Sequence, residues 1–161
     1  MADVAIRPFG DADIPWAETL IGAAFGGRLQ ARLGAVVDAL GCPGIVAELH
    51  GDPIGIVTYQ EDDSGVEIVY LEAAVKQIGA GTRLLDAVAE ETRAHRLWLV
   101  TTNDNLDALR FYQRRGFTIA TIRAGAVDEA RRTLKPTIPL VGRFGIPVRD
   151  EIVLERFVSA T

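Results

Sequence analysis

Apolar residues along this chain follow two spacings, and the places where one gives way to the other divide it into elements. DVAIRP, residues 3–8, reads as a short strand ending at Pro8. From Asp11, a plausible N-cap, WAETLIGAAF has helical spacing and stops at Gly26-Gly27. RLQARLGAVVDAL, residues 28–40, reads as a second helix, broken by Gly41 and Pro43. GIVAELHGDPIGIVTYQ reads as two β-rich runs around the hairpin signal His50-Gly51-Asp52-Pro53. After the turn EDDSG, residues 66–75 (VEIVYLEAAV) form a third long strand. GTRLLDAVAEETRAHR is helical, with Leu84, Leu85, Val88 and Thr92 on one face. LWLVTT, residues 97–102, is apolar without alternation and predicts a central strand buried on both faces. NLDALRFYQRR is a short helix ended by Gly116, FTIATIR a strand, and residues 150–158 (DEIVLERFV) a last strand.

The order β, α, α, β, β, β, α, β, α, β, β predicts an α/β layer fold around a mixed sheet. Antiparallel strands come first and a strand–helix–strand crossover later. With 161 residues, residues 1–161 are expected to make a single domain.

Composition narrows the function classes. The chain is 48% hydrophobic and 24% charged, a globular balance. Its apolar runs fall short of the roughly 18 residues that span a bilayer, and MADVAIRPFG lacks the basic flank and apolar stretch of a secretory signal. No membrane partner is expected. With 17 basic and 22 acidic residues the formal charge is −5. Without a Lys/Arg cluster, nucleic acid is a poor partner, because phosphate contacts supply most non-specific affinity. The acidic balance mildly favours a neutral or cationic small molecule. Two histidines and one cysteine show no metal-ligand spacing, so no metal is expected. The lone Cys42 excludes an internal disulfide and suits a reducing, cytoplasmic setting. It lies in the turn GCPG, away from any helix start or histidine that would lower its pKa, and makes a poor nucleophile.

VKQIGAGTRLLDAV, residues 75–88, poses the chemical question. Glycine inside a helix costs roughly 1 kcal/mol against alanine, yet Gly79 and Gly81 stand where one begins. A tight turn is the plain explanation. The alternative is an anion cradle, since a helix start exposes N–H groups and the positive dipole end. Two phosphate motifs fail: Leu84 replaces the third glycine of G-x-G-x-x-G, and no acid closes the next strand. The Gly-Lys-Ser/Thr of a Walker loop is also absent. A dinucleotide oxidoreductase is disfavoured on that ground.

In the second block Asn105 and Tyr112 are seven residues apart, so they share one helical stripe with Ala108 between them. An amide and a phenol on one stripe can address an extended ligand arm. Equally, Asn105 can cap the helix and Tyr112 can pack in the core. Leu109, Phe111 and Phe117 read as core.

Lys76-x-x-Gly79-x-Gly81 followed by Leu84-Leu85 resembles motif A of the GNAT superfamily, the Gcn5-related N-acetyltransferases. TTNDNLDALRFYQRRGF, residues 101–117, resembles that family's Asn-x-x-Ala-x-x-Phe-Tyr-x-x-x-Gly-Phe block, in the family's order and at about its spacing. Lys76 stands where the family more often has Gln or Arg, and the loop before the glycines is shorter than usual and lacks its frequent proline.

The resemblance implies a GNAT fold, a central mixed and mostly antiparallel sheet flanked by helices. It implies acetyl-CoA as cosubstrate, with its diphosphate on Lys76 and the amides of Gln77, Ile78, Gly79, Ala80, Gly81 and Thr82. Asn105 would contact the pantetheine region, and Tyr112 would sit near the sulfur, placed to protonate the departing thiolate. Leu71's amide would hold the thioester carbonyl, and Ala73 would pair with the pantetheine amides as an added strand does. Glu67-Ile68-Val69-Tyr70 resembles the strand context of the base in the histone-acetyltransferase branch. Glu67 is therefore the preferred base, acting directly or through water, against the plain reading of a solvated strand residue. Glu72 falls on the opposite face of a regular strand, unless a bulge changes the count.

The expected reaction is direct transfer of acetyl to a primary amine, in a small molecule or a peptide. A second copy of the chain is a candidate partner. A non-catalytic acyl-CoA-binding or sensing module is the alternative. Residues 124–149 read as a structured insert in which DEARRTL forms a helical turn or two. Asp128, Glu129, Arg131, Arg132, Arg143 and Asp150 are candidates there for acceptor selectivity, a solvated loop face being the plainer reading of each.

Overall fold

The computed structural model describes residues 3–158. Its strands are β1 (Val4–Pro8), β2 (Leu29–Arg32), β3 (Ala35–Asp38), β4 (Gly44–Leu49), β5 (Asp52–Asp62), β6 (Gly65–Ala73), β7 (Arg96–Thr102), β8 (Thr118–Arg123) and β9 (Glu151–Phe157). Its helices are α1 (Ile14–Phe25), α2 (Ala80–Thr92), α3 (Leu106–Gln113) and α4 (Ala126–Thr133). Seven strands make a mostly antiparallel sheet, in the order β1-β4-β5-β6 in one compact unit and β7-β9-β8 mainly in another; β2 and β3 form a separate ribbon. Among the described residues, the first unit comprises residues 3–29, 38–97 and Val158; the second comprises residues 30–37 and 98–157. Among the described residues, no helix is long and apolar enough to cross a membrane.

In the first unit β1, β4, β5 and β6 pair antiparallel in succession. The hairpin at His50-Gly51 turns through two left-handed residues, φ 53° and 83°, the geometry that matches strand twist. Helix α2 covers one sheet face with Leu84, Leu85 and Val88, all at most 1% exposed. Burying each such side chain is worth about 1.5–3 kcal/mol. A Cβ at Gly55 would lie 3.2 Å from Leu84 Cδ1, so the glycine lets helix and strand approach closely. The opposite face carries a cluster of Ala17, Ile21, Ala39, Leu40, Ile56 and Tyr70, flanked by Phe9, Trp16, Leu20 and Val69. Arg7 ties β1 to the start of α1, donating to both Asp13 oxygens at 2.7 and 2.8 Å and also to Glu48.

The predicted helix over residues 28–40 is instead the β2–β3 hairpin. Leu33 and Gly34 both have positive φ, 51° and 76°, as a two-residue hairpin turn requires. Two tertiary contacts fix it. Leu33 donates its backbone N–H to the carboxylate of Glu151, at 3.1 and 3.3 Å, and Arg28 binds Asp38 and Glu18 beside the hairpin's base. Helical spacing over thirteen residues was outweighed by Gly34 and by an acceptor 118 residues away.

The second unit holds the strand pair β8/β9 and the predicted insert, whose helical part is α4. Strand β7 is less buried than its unbroken apolar run predicts: Leu97 and Leu99 are buried, but Trp98 and Val100 are half-buried. Arg131, one of the selectivity candidates, is spent on structure: it donates to the carbonyls of Ile138, Pro139 and Val148 at 2.9 Å and pairs with Asp128 at 2.8 Å. Asp150 accepts the Gly125 N–H at 2.8 Å, which fixes the start of α4. Glu129 and Arg132 are exposed and Arg143 is half-buried.

Candidate active site

Strand β6 departs from regularity where the chemistry is expected. Along β5 the partners run Thr58 opposite Tyr70, then Tyr59 opposite Ile68, so Val69 is an extra residue, a bulge. Gln60 faces Glu67 and Ile56 faces Glu72. Since Ile56, Thr58 and Gln60 alternate regularly on β5, their partners Glu72, Tyr70 and Glu67 all lie on one sheet face. A regular strand puts Glu67 and Glu72 on opposite faces. The bulge brings them to the same one, about 13 Å apart at four residues of strand rise.

Glu67 is 2% exposed and accepts from Gln60 Nε2 at 3.3 Å. It is not the solvated strand residue of the plain reading. Burial pushes the Tyr70 phenol well above its ordinary range, and the charge of Glu72 pushes the same way. Tyr70 therefore stays protonated at any physiological pH. Glu72 bonds Lys76 Nζ at 2.6 Å, so Lys76 holds an acid while its side chain stays 68% exposed. Leu71 and Ala73, half-buried, face Val57 and Gly55 across the β5 pairing.

Between β6 and α2 the chain turns through two left-handed residues, Gln77 (φ 65°) and Gly79 (φ 82°), on either side of Ile78. For glutamine that conformation costs on the order of 1–2 kcal/mol, strain of a kind concentrated at ligand clamps. Alternating left-handed residues turn successive N–H groups toward a common point, as in anion-binding nests. Gly79 stands at the N-cap of α2 without a side-chain hydrogen bond, and its carbonyl accepts the Arg83 N–H at 3.0 Å. An added Cβ at Gly79 would meet no atom within 4 Å. The Cβ direction at Gly79 is thus open, which is compatible with a diphosphate approaching this helix start. Ala80 is buried; Gly81 and Thr82 are half-buried.

In the second unit Asn105 is the N-cap of α3, its Oδ1 accepting the Ala108 N–H at 3.2 Å. The amide oxygen is committed to the cap, and what Asn105 can offer a ligand is its NH2 group. Tyr112 is 7% exposed, edge-on to Phe111 and Phe117 at 5.1 and 5.3 Å. Of the three residues read as core there, Phe117 is buried at 2%, whereas Leu109 and Phe111 are half-buried, Phe111 beneath the Arg115 guanidinium at 3.7 Å.

Residues 16–117 match the family model described as Acetyltransferase (GNAT) family. The chain belongs to this family. It is 44% identical over 112 residues to Uncharacterized protein YdhI of Bacillus subtilis (strain 168), covering 68% of this chain and 69% of that one. In fold it is similar to an IAA acetyltransferase from Bacillus cereus ATCC 14579, with a TM-score of 0.75 at 21% identity over 97% of this chain and 100% of the other. It is also similar to a GNAT family acetyltransferase from Elizabethkingia anophelis solved with acetyl-CoA bound, with a TM-score of 0.70 at 20% identity over 98% and 100% of the two chains.

Sequence reasoning missed two features of this GNAT chain. Asp104, 5% exposed, accepts from Thr102 Oγ1 at 2.5 Å and from the Arg143 N–H at 2.9 Å. A Cβ at Gly142 would lie 2.2 Å from its Oδ2, so only glycine lets the insert close on this carboxylate. With Asn103, which accepts the N–H groups of Arg149 and Asp150 at 3.0 Å, Asp104 fastens residues 142–150 to the turn that presents Asn105. An acid one residue before the motif's asparagine was the available signal. The second feature is Thr58, completely buried with no hydrogen-bond partner for its Oγ1. Nothing in its sequence context marks it, because Gly44 and Tyr70 become its neighbours only across the sheet. Cys42 is half-buried and its thiol donates to the Asp38 carbonyl at 3.5 Å.

Proposed function

We propose that this protein is an N-acetyltransferase that moves acetyl from acetyl-CoA directly to a primary amine, working as one domain. The observation that carries this reading is the glycine at the start of α2, with open space in its Cβ direction, directly after a bulged strand that lines up Glu67, Tyr70 and Glu72. When bound, acetyl-CoA supplies an acetyl group activated as a thioester. The N–H groups from Gln77 to Thr82 hold the diphosphate by charge-assisted hydrogen bonds, with the exposed Lys76 as a further donor. Leu71 N–H orients the acyl carbonyl, and Ala73 pairs its backbone with the pantetheine arm.

Glu67 receives the proton that the acceptor amine loses. Its burial argues for a relay and against direct contact. From the motif, Asn105 offers its amide NH2 to the pantetheine arm and Tyr112 its phenol proton to the leaving sulfur. Glu72, on the Glu67 face, makes an ammonium-bearing acceptor electrostatically favourable. The compartment is proposed to be the cytoplasm, and a homodimer is one candidate assembly.

The deciding experiment incubates the protein and acetyl-CoA with spermidine, tyramine, an aminoglycoside, and peptides carrying a free N-terminus or a lysine, and follows thiol release. Acceptor-dependent release is expected. Acetyl-CoA binding with no release on any acceptor would leave the sensing module as the surviving reading.

A further inference from the structure

We propose that Thr58 is a positioning residue of the transfer reaction: its hydroxyl holds the water through which the acceptor's proton reaches the buried Glu67. The inference rests on Glu67 being the base and goes beyond that assignment by naming the route.

Glu67 is 2% exposed, so a proton released by an acceptor has to be carried inward to reach it. Thr58 and Gln60 are two residues apart on β5, on one face and about 7 Å apart along the strand. Their partners across the sheet are Tyr70 and Glu67. The bulge at Val69 keeps Tyr70 and Glu67 on that face, so Thr58 and Glu67 are diagonal neighbours on one buried surface.

Thr58 Oγ1 is buried and unpaired, in a residue with no exposed surface. A buried hydroxyl without a partner destabilises a fold. Packing does not explain it either. The methyl group carries the contact toward Gly44, where an added Cβ would lie 3.1 Å from Thr58 Cγ2. Valine would keep that contact, keep the β-branched shape suited to a strand, and remove the orphan group. The hydroxyl therefore has a use that packing leaves out. A hydroxyl both donates and accepts, and buried waters characteristically settle on otherwise unsatisfied polar groups.

The proton balance is complete. As the amine nitrogen bonds to the acyl carbon and the carbon–sulfur bond breaks, the amine N–H proton passes to the water on Thr58. That water gives its own proton to the Glu67 carboxylate and is regenerated. The leaving sulfur takes a proton from Tyr112, which recovers one from solvent, and Glu67 returns its proton to solvent after turnover.

The test uses Thr58→Val, Thr58→Ser and Glu67→Gln with the best acceptor of the panel above. Thr58→Val should lower kcat about tenfold or more, leave the acetyl-CoA dissociation constant and acceptor KM nearly unchanged, and melt at the same or a higher temperature than wild type. Thr58→Ser should restore most of kcat. A crystal structure of the protein without ligands should show a water on Thr58 Oγ1 that is missing from the valine variant. Full kcat in Thr58→Val with an impaired Glu67→Gln would overturn the route and leave the base standing. Full kcat in both would remove the base and the route together. Equal losses in the valine and serine variants, or a dry Thr58, would make its role one of packing and overturn the proposal.

Discussion

At the start of α2 the chain places Gly79 in a left-handed conformation, uncapped, before open space. At the start of α3 it places Asn105, whose side chain closes on the Ala108 N–H at 3.2 Å. Both positions leave the same set of unsatisfied N–H groups. One start uses its own side chain to satisfy a donor, whereas the glycine at the other has no side chain with which to do so. The start of α1 shows a third treatment. Asp13 stands at its N-cap but turns its carboxylate to Arg7 and to the Gly10 N–H at 2.9 Å. The three helix starts thus differ in what their cap residues do, and the difference can be tested at each helix.

The largest effect is expected at α2. Gly81→Leu should weaken acetyl-CoA binding about 30-fold or more, a loss of roughly 2 kcal/mol, measured by calorimetry. The same change should leave melting unchanged or raise it, since glycine is a poor helix former. Unchanged affinity would mean that the uncapped start is only a turn. Next comes Tyr112→Phe, expected to lower turnover about tenfold, or 1.4 kcal/mol, with acetyl-CoA affinity preserved. Steady-state rates beside binding isotherms check it, and an undiminished kcat would remove the phenol from the reaction.

Asn105→Ala should cost about 1 kcal/mol through the lost cap, a fall of about 2–4 °C in melting temperature for a chain of this size. Its effect on acetyl-CoA affinity should be smaller than that of Gly81→Leu. A larger effect on affinity would reverse the contrast between the two helix starts.

The smallest effect is at α1. The hydrogen bonds from Arg7 hold the Asp13 carboxyl below the usual carboxylate range. A depressed folded-state pKa stabilises the fold above the unfolded value and loses that contribution as pH falls through the folded one. Acid titration should show stability declining below about pH 3.8, the ordinary aspartate value. Arg7→Ala should lower stability across neutral pH and remove this limb of the acid titration. An unchanged titration would show the pair to be inert.

Much of the start of α2 was legible because its signals are local. Glycines at 79 and 81 before Leu84 and Leu85 describe a helix start within seven residues, and the asparagine-to-phenylalanine block does the same for α3. Hairpin β4–β5 was legible from four turn residues. The β2–β3 hairpin was not, because RLQARLGAVVDAL satisfies helical spacing and its decisive partner, Glu151, comes more than a hundred residues later. Arg131 was legible as a charge in an insert. Its commitment to three carbonyls was not, since those carbonyls come together only when residues 138–148 fold back.

Sequence alone determined the family and the run of most elements, because each depends on spacing within a few residues, and it nominated the groups proposed to carry acetyl transfer. Tertiary structure decided which of those groups share a face. One extra residue at Val69 reverses the parity of β6 and brings Glu67 to the side of Tyr70, Glu72 and Thr58. A bulge is defined by pairing with a neighbouring strand, and that pairing exists only once β5 and β6 have met.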